Sequence, residues 1–361
     1  MSYWGQLQGG AEYQLHLLGS ELVKLGYRVY YIFIDQNIPT LNDEVRLVPL
    51  KVSKFSKKAF YPYQSLVFFD LQHELNRIKP DVIINRRGDA LTGGCAHYAK
   101  SNSCTMIWHI ADEPDVTPLK KKLNRSLPIA WLDKKLLEYG IRNTDYIVGQ
   151  AHYQSALLEQ HYHRACDVII PNFHPISSEN IYKSEKIKIV WIANIKEKKN
   201  PGIFVRLAKA FESSANVLFV MVGREGSQSL QNEINVLSEH AANFEYVGEL
   251  SQYQVNNLLD ESHIFVNTSS YEGFPNTFIQ AWMRRMPVVS LNVDPDDVLF
   301  KNKMGYHSKT FEQLVADLAT LINDPELVKE QGNRAYEYAI SKHSMNSNIN
   351  KFVSLIENPK H

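Results

Sequence analysis

At 361 residues, with Lys and Arg matching Asp and Glu at 39 each, the chain is long for a single core and has no charge excess that would draw it to nucleic acid. A hydrophobic content of 44% with 22% charge excludes a disordered or fibrous chain. No apolar run reaches membrane-spanning length, the opening residues do not read as a secretory leader, and three irregularly spaced cysteines (Cys95, Cys104, Cys166) fit reduced thiols in the cytosol.

The chain opens with a polar, aromatic stretch over residues 1–8, and Gly9, Gly10, Ala11 and Glu12 follow at once. Leu15, Leu18, Leu22 and Leu25 then share one helical face, so a helix is expected over 11–25, ending before Gly26. The two glycines would let backbone approach a ligand with no side chain between. Residues 28–34 form a dense apolar strand. Residues 51–69 mix four lysines with aromatic residues, which fits either an anionic membrane surface or a solvated loop ahead of a packed helix.

Strands are expected over 81–85, 104–110, 145–149 and 167–171, and helices over 91–100, 119–139 and 151–160. His109 stands at the carboxyl end of its strand, where open parallel sheets bind ligands. His161, His163 and Cys166 lie close together, but no further ligand cluster supports a zinc site. The proline- and serine-containing stretch 173–184 reads as a linker.

The pattern restarts after it. Strands are expected over 187–193, 217–222, 244–247, 263–266 and 288–291. Helices are expected to open at Asn200 and Pro201, at Ser251, and at Asn276 or Thr277, and to cover 227–240, 310–322, 325–340 and 346–357. The stretch from Tyr271 to Pro275 is then a loop at a strand's carboxyl end that feeds a helix N-terminus. Free N–H donors and a partial positive charge there suit a pyrophosphate. Glu272 and Gln280 flank that point with polar groups, which outlines a sugar nucleotide.

The run Glu272, Gly273, Phe274, Pro275, Asn276, Thr277, Phe278, Ile279, Gln280 resembles the Glu-x7-Glu motif of retaining GT-B glycosyltransferases of family 4 (group 1). Its second Glu is replaced by Gln, as is usual in a branch from bacterial polysaccharide clusters. The resemblance implies an α/β GT-B fold, with two Rossmann-like domains whose parallel sheets face a central cleft. It divides the chain into an acceptor domain over 1–172, the linker, a donor domain over 185–342, and a final helix over 343–361 crossing back. It also implies a strand ahead of Gly9. The sequence lacks one there, so either the start is set too late, with roughly 8 to 12 in-frame residues rich in Val, Ile and Leu expected upstream of Met1, or this copy has lost the strand.

By the same resemblance Glu272, His109 and Lys199 are the catalytic candidates. Gly273, Phe274, Pro275, Asn276, Thr277, Gln280, Asn194, Gly223, Gly9 and Gly10 would bind the donor. His109 would touch the donor sugar from the opposite domain, Glu272 the sugar hydroxyls and Gln280 the ribose. Lys199 matches the family's lysine, while Ala193 and Asn194 stand where the family has Gly-Arg, which leaves Lys196 or Lys198 as substitutes for the lost Arg. The loop of Asp294, Pro295, Asp296 and Asp297 is not read as a metal site, and no metal or other cofactor is expected.

The expected reaction is retaining transfer of a sugar from a nucleoside-diphosphate donor to a growing polysaccharide or lipid-linked glycan. The expected location is the cytoplasm, with peripheral attachment to the inner face of the plasma membrane left open. Two other readings remain: a sugar-nucleotide 2-epimerase of the same fold, against which the Glu-x7-Gln run speaks, and a non-catalytic donor-binding or scaffold partner.

Overall fold

A computed structural model describes residues 9–34, 45–50, 64–118, 128–176, 181–224, 226, 231–232, 234–236 and 241–360. The expectations for residues 1–8, 51–63 and 119–127, and most of those for 227–240, lie outside the described residues. The chain divides into two units, residues 1–172 with 346–361, and residues 173–345. Residues 343–345, expected at the start of the returning helix, fall with the second unit.

Unit 1 begins with α1 (Gly10–Lys24), followed by β1 (Tyr30–Phe33) and β2 (Arg46–Pro49), a parallel pair. Next come α2 (Phe68–Ile78), β3 (Val82–Arg86), α3 (Ala90–Ser101), β4 (Thr105–His109), α4 (Pro128–Asn143), β5 (Tyr146–Gly149), α5 (His152–Tyr162) and β6 (Val168–Ile169). Strands β3 to β6 form a four-stranded parallel sheet in sequence order. Its inner strand β4 is buried along its whole length, as a strand covered on both faces must be. Asp89 starts α3: its carboxylate accepts from Leu91 N at 3.0 Å, and the Thr92 hydroxyl returns to the Asp89 amide in a capping box.

Unit 2 is a six-stranded parallel sheet. Its elements in chain order are β7 (Ile187–Ile192), α6 (Pro201–Ala210), β8 (Val217–Val222), β9 (Phe244–Tyr246), α7 (Gln252–Glu261), β10 (Ile264–Asn267), α8 (Asn276–Trp282), β11 (Val288–Ser290), α9 (Val298–Asn302), β12 (Gly305–His307), α10 (Phe311–Asn323) and α11 (Pro325–His343). The strand order is β12-β11-β10-β7-β8-β9, so the first strand of the unit is central and the chain winds outward on both sides of it. Trp191, Phe204, Phe219, Phe244 and Leu318 pack its core. The last helix, α12 (Met345–Glu357), carries Phe352 into unit 1, where its ring centroid lies 5.2 Å from that of His109.

Several local expectations change. Helix α8 ends at Trp282, and Pro275 precedes it with no side-chain cap, so neither Asn276 nor Thr277 caps it. Asn200 does not cap α6 through its side chain; it takes up the left-handed region at φ 46°. Thr310 accepts from Gln313 N at 3.1 Å at the start of α10, and the Gln313 side chain turns to Asp317 at 2.7 Å.

His174 lies near the start of unit 2, paired in a short parallel bridge with Ser344. Burial first, then the charges of Arg284 and His343, push its pKa down to about 3. An unfolded chain takes up a proton near pH 6.5 that this folded site refuses. The stability of unit 2 is therefore full above that pH and falls below it, by about 1.4 kcal/mol per pH unit from this group. We expect thermal melts to show His174→Gln losing less than the parent between pH 7.5 and 5.5, by roughly 2 to 4 °C. Parallel melting curves for the two proteins would contradict it.

Candidate functional site

In a parallel sheet the strand carboxyl ends share one edge, and β7, β8 and β10 of unit 2 end there together. The sequence changes character at that edge. The apolar run Ile264, Phe265, Val266 gives way to Asn267, Thr268 and Ser269, all buried. Polar groups buried at a strand end need partners: Asn267 and Ser269 find them in each other, Ser290 and Glu272, and Thr268 in the loop after β7.

Trp191 Nε1 donates to Thr268 Oγ1 at 2.8 Å, and the Thr268 hydroxyl donates to the carbonyl of Lys199 at 2.7 Å. Asn200 Nδ2 donates to the Thr268 carbonyl at 3.0 Å and to Ser270 Oγ at 2.9 Å. The Ser270 amide donates to the Lys198 carbonyl at 2.8 Å. The left-handed conformation of Asn200 is what turns its amide toward that second loop.

This lacing brings two sequence candidates together. Lys199 Nζ pairs with Glu272 Oε1, and Ser269 Oγ donates to the same carboxylate oxygen at 2.8 Å. The two charged side chains are 18% and 13% exposed, little enough to be held in place. Lys198 lies over the Tyr271 ring, 5.0 Å from its centroid, and Lys196 is exposed. Lys199 is the one that makes the described ion pair with Glu272.

Gly223 directly follows β8, and a Cβ there would lie 2.0 Å from the Ala193 carbonyl oxygen, so only glycine lets the chain close up there. Asn194, the residue after Ala193, is half-buried. Gly273 and Pro275 are buried, and Asn276 and Thr277 half-buried, at the start of α8. Gln280 lies further along α8 and is buried. The Phe274 side chain packs on His343 and Trp282, at centroid distances of 4.9 and 6.0 Å, so its part at the site falls to its backbone.

Asp294 is occupied in capping: it accepts from Leu299 N at 2.8 Å, which starts α9. Among the described residues no group of three His, Cys, Asp or Glu is placed to hold a metal.

The unit 1 candidates are separate residues of that unit. Gly9 precedes α1, and the Glu12 carboxylate folds back to within 2.1 Å of where a Gly9 Cβ would stand. His109 is buried at the end of β4. Arg86 Nη1 lies 2.8 Å from His109 Nδ1, and Arg86 Nη2 donates to Asn172 Oδ1 at 2.6 Å. A guanidinium can only donate, so Nδ1 accepts and the ring proton sits on Nε2. Burial, then the Arg86 charge, hold the His109 pKa well below the ordinary histidine value. Desolvation lowers Arg86 itself to about 10, against the pull of Asp115 and Glu12.

Sequence reasoning read Asn200 only as a helix cap and passed over Arg86, Thr268 and Ser269. The last two carried a signal, a hydroxyl run directly after a buried apolar strand. Arg86 carried none, because a buried arginine is rare enough that exposure is the natural expectation.

Residues 174–338 match the sequence profile of the family described as glycosyl transferases group 1. The poly(ribitol-phosphate) alpha-N-acetylglucosaminyltransferase of Staphylococcus aureus (strain COL) is 31% identical over 101 residues, covering 27% of this chain and 20% of that protein. This chain therefore spans about a fifth of that relative's length. An uncharacterized glycosyltransferase of Methanocaldococcus jannaschii is 24% identical over 327 residues, covering 74% of this chain and 78% of the relative. Among solved structures, Anabaena HepE in complex with UDP-glucose superposes with a TM-score of 0.72 at 12% identity, covering 97% of this chain and 96% of that one. At such identity the likeness shows the fold: two Rossmann-like α/β domains with parallel sheets, the GT-B architecture.

Proposed function

We propose, for a chain that carries a group 1 glycosyl transferase domain over residues 174–338 and has the GT-B fold, that it moves a sugar from a nucleoside-diphosphate donor to a glycan hydroxyl with retention at the anomeric carbon. The observation that carries the reading is the Lys199, Glu272 and Ser269 constellation at the carboxyl edge of the unit 2 sheet. The donor bound by HepE, UDP-glucose, belongs to the same chemical class.

In this reading, breaking the bond from the sugar to the diphosphate builds negative charge on the departing phosphate oxygen. Lys199 and the backbone N–H groups at the start of α8 stabilise that charge and so lower the barrier. The donor's phosphates draw Lys199 away from Glu272, which releases the carboxylate to hold sugar hydroxyls. Gln280, a neutral amide, donates to and accepts from the ribose. His109 touches the donor sugar, and its Nε2–H is the donor it offers. The acceptor hydroxyl enters on the face the diphosphate leaves, and its proton departs with the diphosphate.

The proposal takes the acceptor to be a growing polysaccharide or a lipid-linked glycan, reached from an anionic membrane surface. Phe69 at 82% exposure and Trp131 at 62% are apolar groups suited to such a surface. No helix among the described residues is long and apolar enough to cross a membrane.

A panel of sugar nucleotides scored by thermal shift, then by diphosphate release with lipid-linked acceptors, tests this reading. One donor should raise the melting temperature and release diphosphate only when acceptor is present; no shift with any donor would refute it. Because lysine and backbone N–H groups supply the phosphate stabilisation, EDTA should leave turnover unchanged. Complete loss on chelation, restored by Mg²⁺ or Mn²⁺, would contradict the metal-free route and redirect attention to Asp294, Asp296 and Asp297.

A further inference from the structure

Arg86 ends β3 and His109 ends β4, and the parallel register pairs the two residues directly. Paired residues of neighbouring strands send their side chains to the same face of the sheet. Both residues are buried, at 2% and 1% exposure. A guanidinium taken that far out of water has to place its N–H groups on acceptors. Nη2 donates to Asn172 Oδ1 at 2.6 Å, and the charges of Asp115 and Glu12 favour the ionised form. Nη1 lies 2.8 Å from His109 Nδ1 and 3.4 Å from Nε2. Because a guanidinium offers donors and no acceptor, the nearer ring nitrogen is the bare one.

An imidazole in water takes up a proton near pH 6.5 and, when neutral, exchanges between two tautomers. Such a ring can donate, accept or carry charge at one and the same position. Arg86 removes that freedom. A proton on Nδ1 would set N–H against N–H, and an imidazolium would add a second cation beside the first. Burial, then the Arg86 charge, hold the His109 pKa well below its ordinary value. The other groups around the pair do not reverse this. Asp115, Glu12 and Tyr31 act on Arg86, and Phe352 of α12 brings an uncharged ring to 5.2 Å from that of His109, centroid to centroid.

We propose that Arg86 is a positioning residue for His109: by donating to Nδ1 it fixes Nε2–H as the polar hydrogen that the ring presents to an oxygen of the donor sugar. The inference rests on the transfer reading above and adds the polarity of that contact. The sugar oxygen facing His109 accepts. A neutral ring also suits the chemistry. A sugar losing its diphosphate gains positive charge as an oxocarbenium-like species, which an imidazolium would repel. Arg86 acts on the reaction through His109, so its substitution should cost little once His109 is gone.

Nitrogen NMR of the full chain with isotope-labelled histidine, from about pH 5.5 to about pH 8, reads the ring directly, and His109→Gln identifies its signals. The parent should show Nε2 protonated and Nδ1 bare throughout, with no titration. Arg86→Lys keeps a cationic donor and should keep that tautomer, whereas Arg86→Met should populate the other one as well. Transfer kinetics are read in parallel. Arg86→Met should lower kcat/KM at least about tenfold where His109 is present and less than about twofold in a His109→Gln background, with Arg86→Lys between parent and Arg86→Met. A parent ring protonated on Nδ1, or titrating within that range, overturns the proposal and needs no variant to fold. Equal losses from Arg86→Met with and without His109 also overturn it, since a purely structural arginine acts that way. The expected spectra with no transfer from any sugar nucleotide would instead refute the transfer reading, while upholding the hold of Arg86 on the ring.

Discussion

Glu272→Ala should abolish sugar transfer, with kcat/KM falling at least about 100-fold, while circular dichroism and melting temperature stay close to those of the parent. The expectation rests on where the carboxylate is held. Ser269 and Lys199 fix one of its oxygens at the sheet edge, beside the N-terminus of α8. A group held there by two donors is oriented before substrate arrives, so its loss removes an aligned contact rather than a mobile one. The stability cost should be small, since Lys199 at 18% exposure can recover hydration when its partner goes. Glu272→Gln separates shape from charge. It keeps the side-chain length but loses the charge-assisted bond to Lys199, and should leave a partial activity between parent and alanine. Transfer surviving in Glu272→Ala within about threefold of the parent, well under 1 kcal/mol of barrier, would show that the site is assigned wrongly.

The second large effect is expected at Lys199. Lys199→Met should reduce turnover about 10²- to 10³-fold, the scale of losing one preorganised donor to a developing oxyanion. The loss should appear mainly in kcat if Lys199 acts on the departing diphosphate, and mainly in KM if it only helps hold the donor. Lys198→Met and Lys196→Met serve as comparisons. Lys198 lies over the Tyr271 ring and Lys196 is exposed, so each should cost far less. A dead Lys198→Met beside an active Lys199→Met would move the phosphate contact by one residue. Lys199→Arg keeps the charge but not the reach or the point-like geometry of the ammonium, and should recover only part of the rate.

The two predictions depend on parts of the molecule that were unequally legible in the sequence. The strands of unit 2 could be read because a parallel sheet covered on both faces needs continuous apolar runs. Ile187–Ile192 and Val217–Val222 are such runs. The three-residue β12, whose sequence is Gly-Tyr-His, has no such signature; it is a strand only because β11 offers it an edge. The four-residue β2 went unread for the same reason, and so did the five-residue α9, which depends on Asp294 to start it.

At the site, Glu272 and Lys199 were recognisable from their motifs, but their meeting was not, for they lie 73 positions apart. The contact depends on Asn200. Its sequence context, with proline following, suggested a helix cap; in the fold it gives up the cap and binds the second loop instead. The contest between those two roles is decided by tertiary contacts that no local pattern carries. His109 was legible by its place at the end of a strand, whereas its neighbour Arg86 was not, because its burial depends on Asn172 from 86 positions away.

The central claim is that a sugar leaves a nucleoside diphosphate and joins an acceptor with its anomeric configuration kept. Proton NMR of the glycosidic linkage, recorded while the protein turns over an α-configured sugar nucleotide with its glycan acceptor, tests that claim directly. The account predicts an α-linked product, formed one for one with free nucleoside diphosphate. A β-linked product, or sugar released to water at the same rate with and without acceptor, would contradict it.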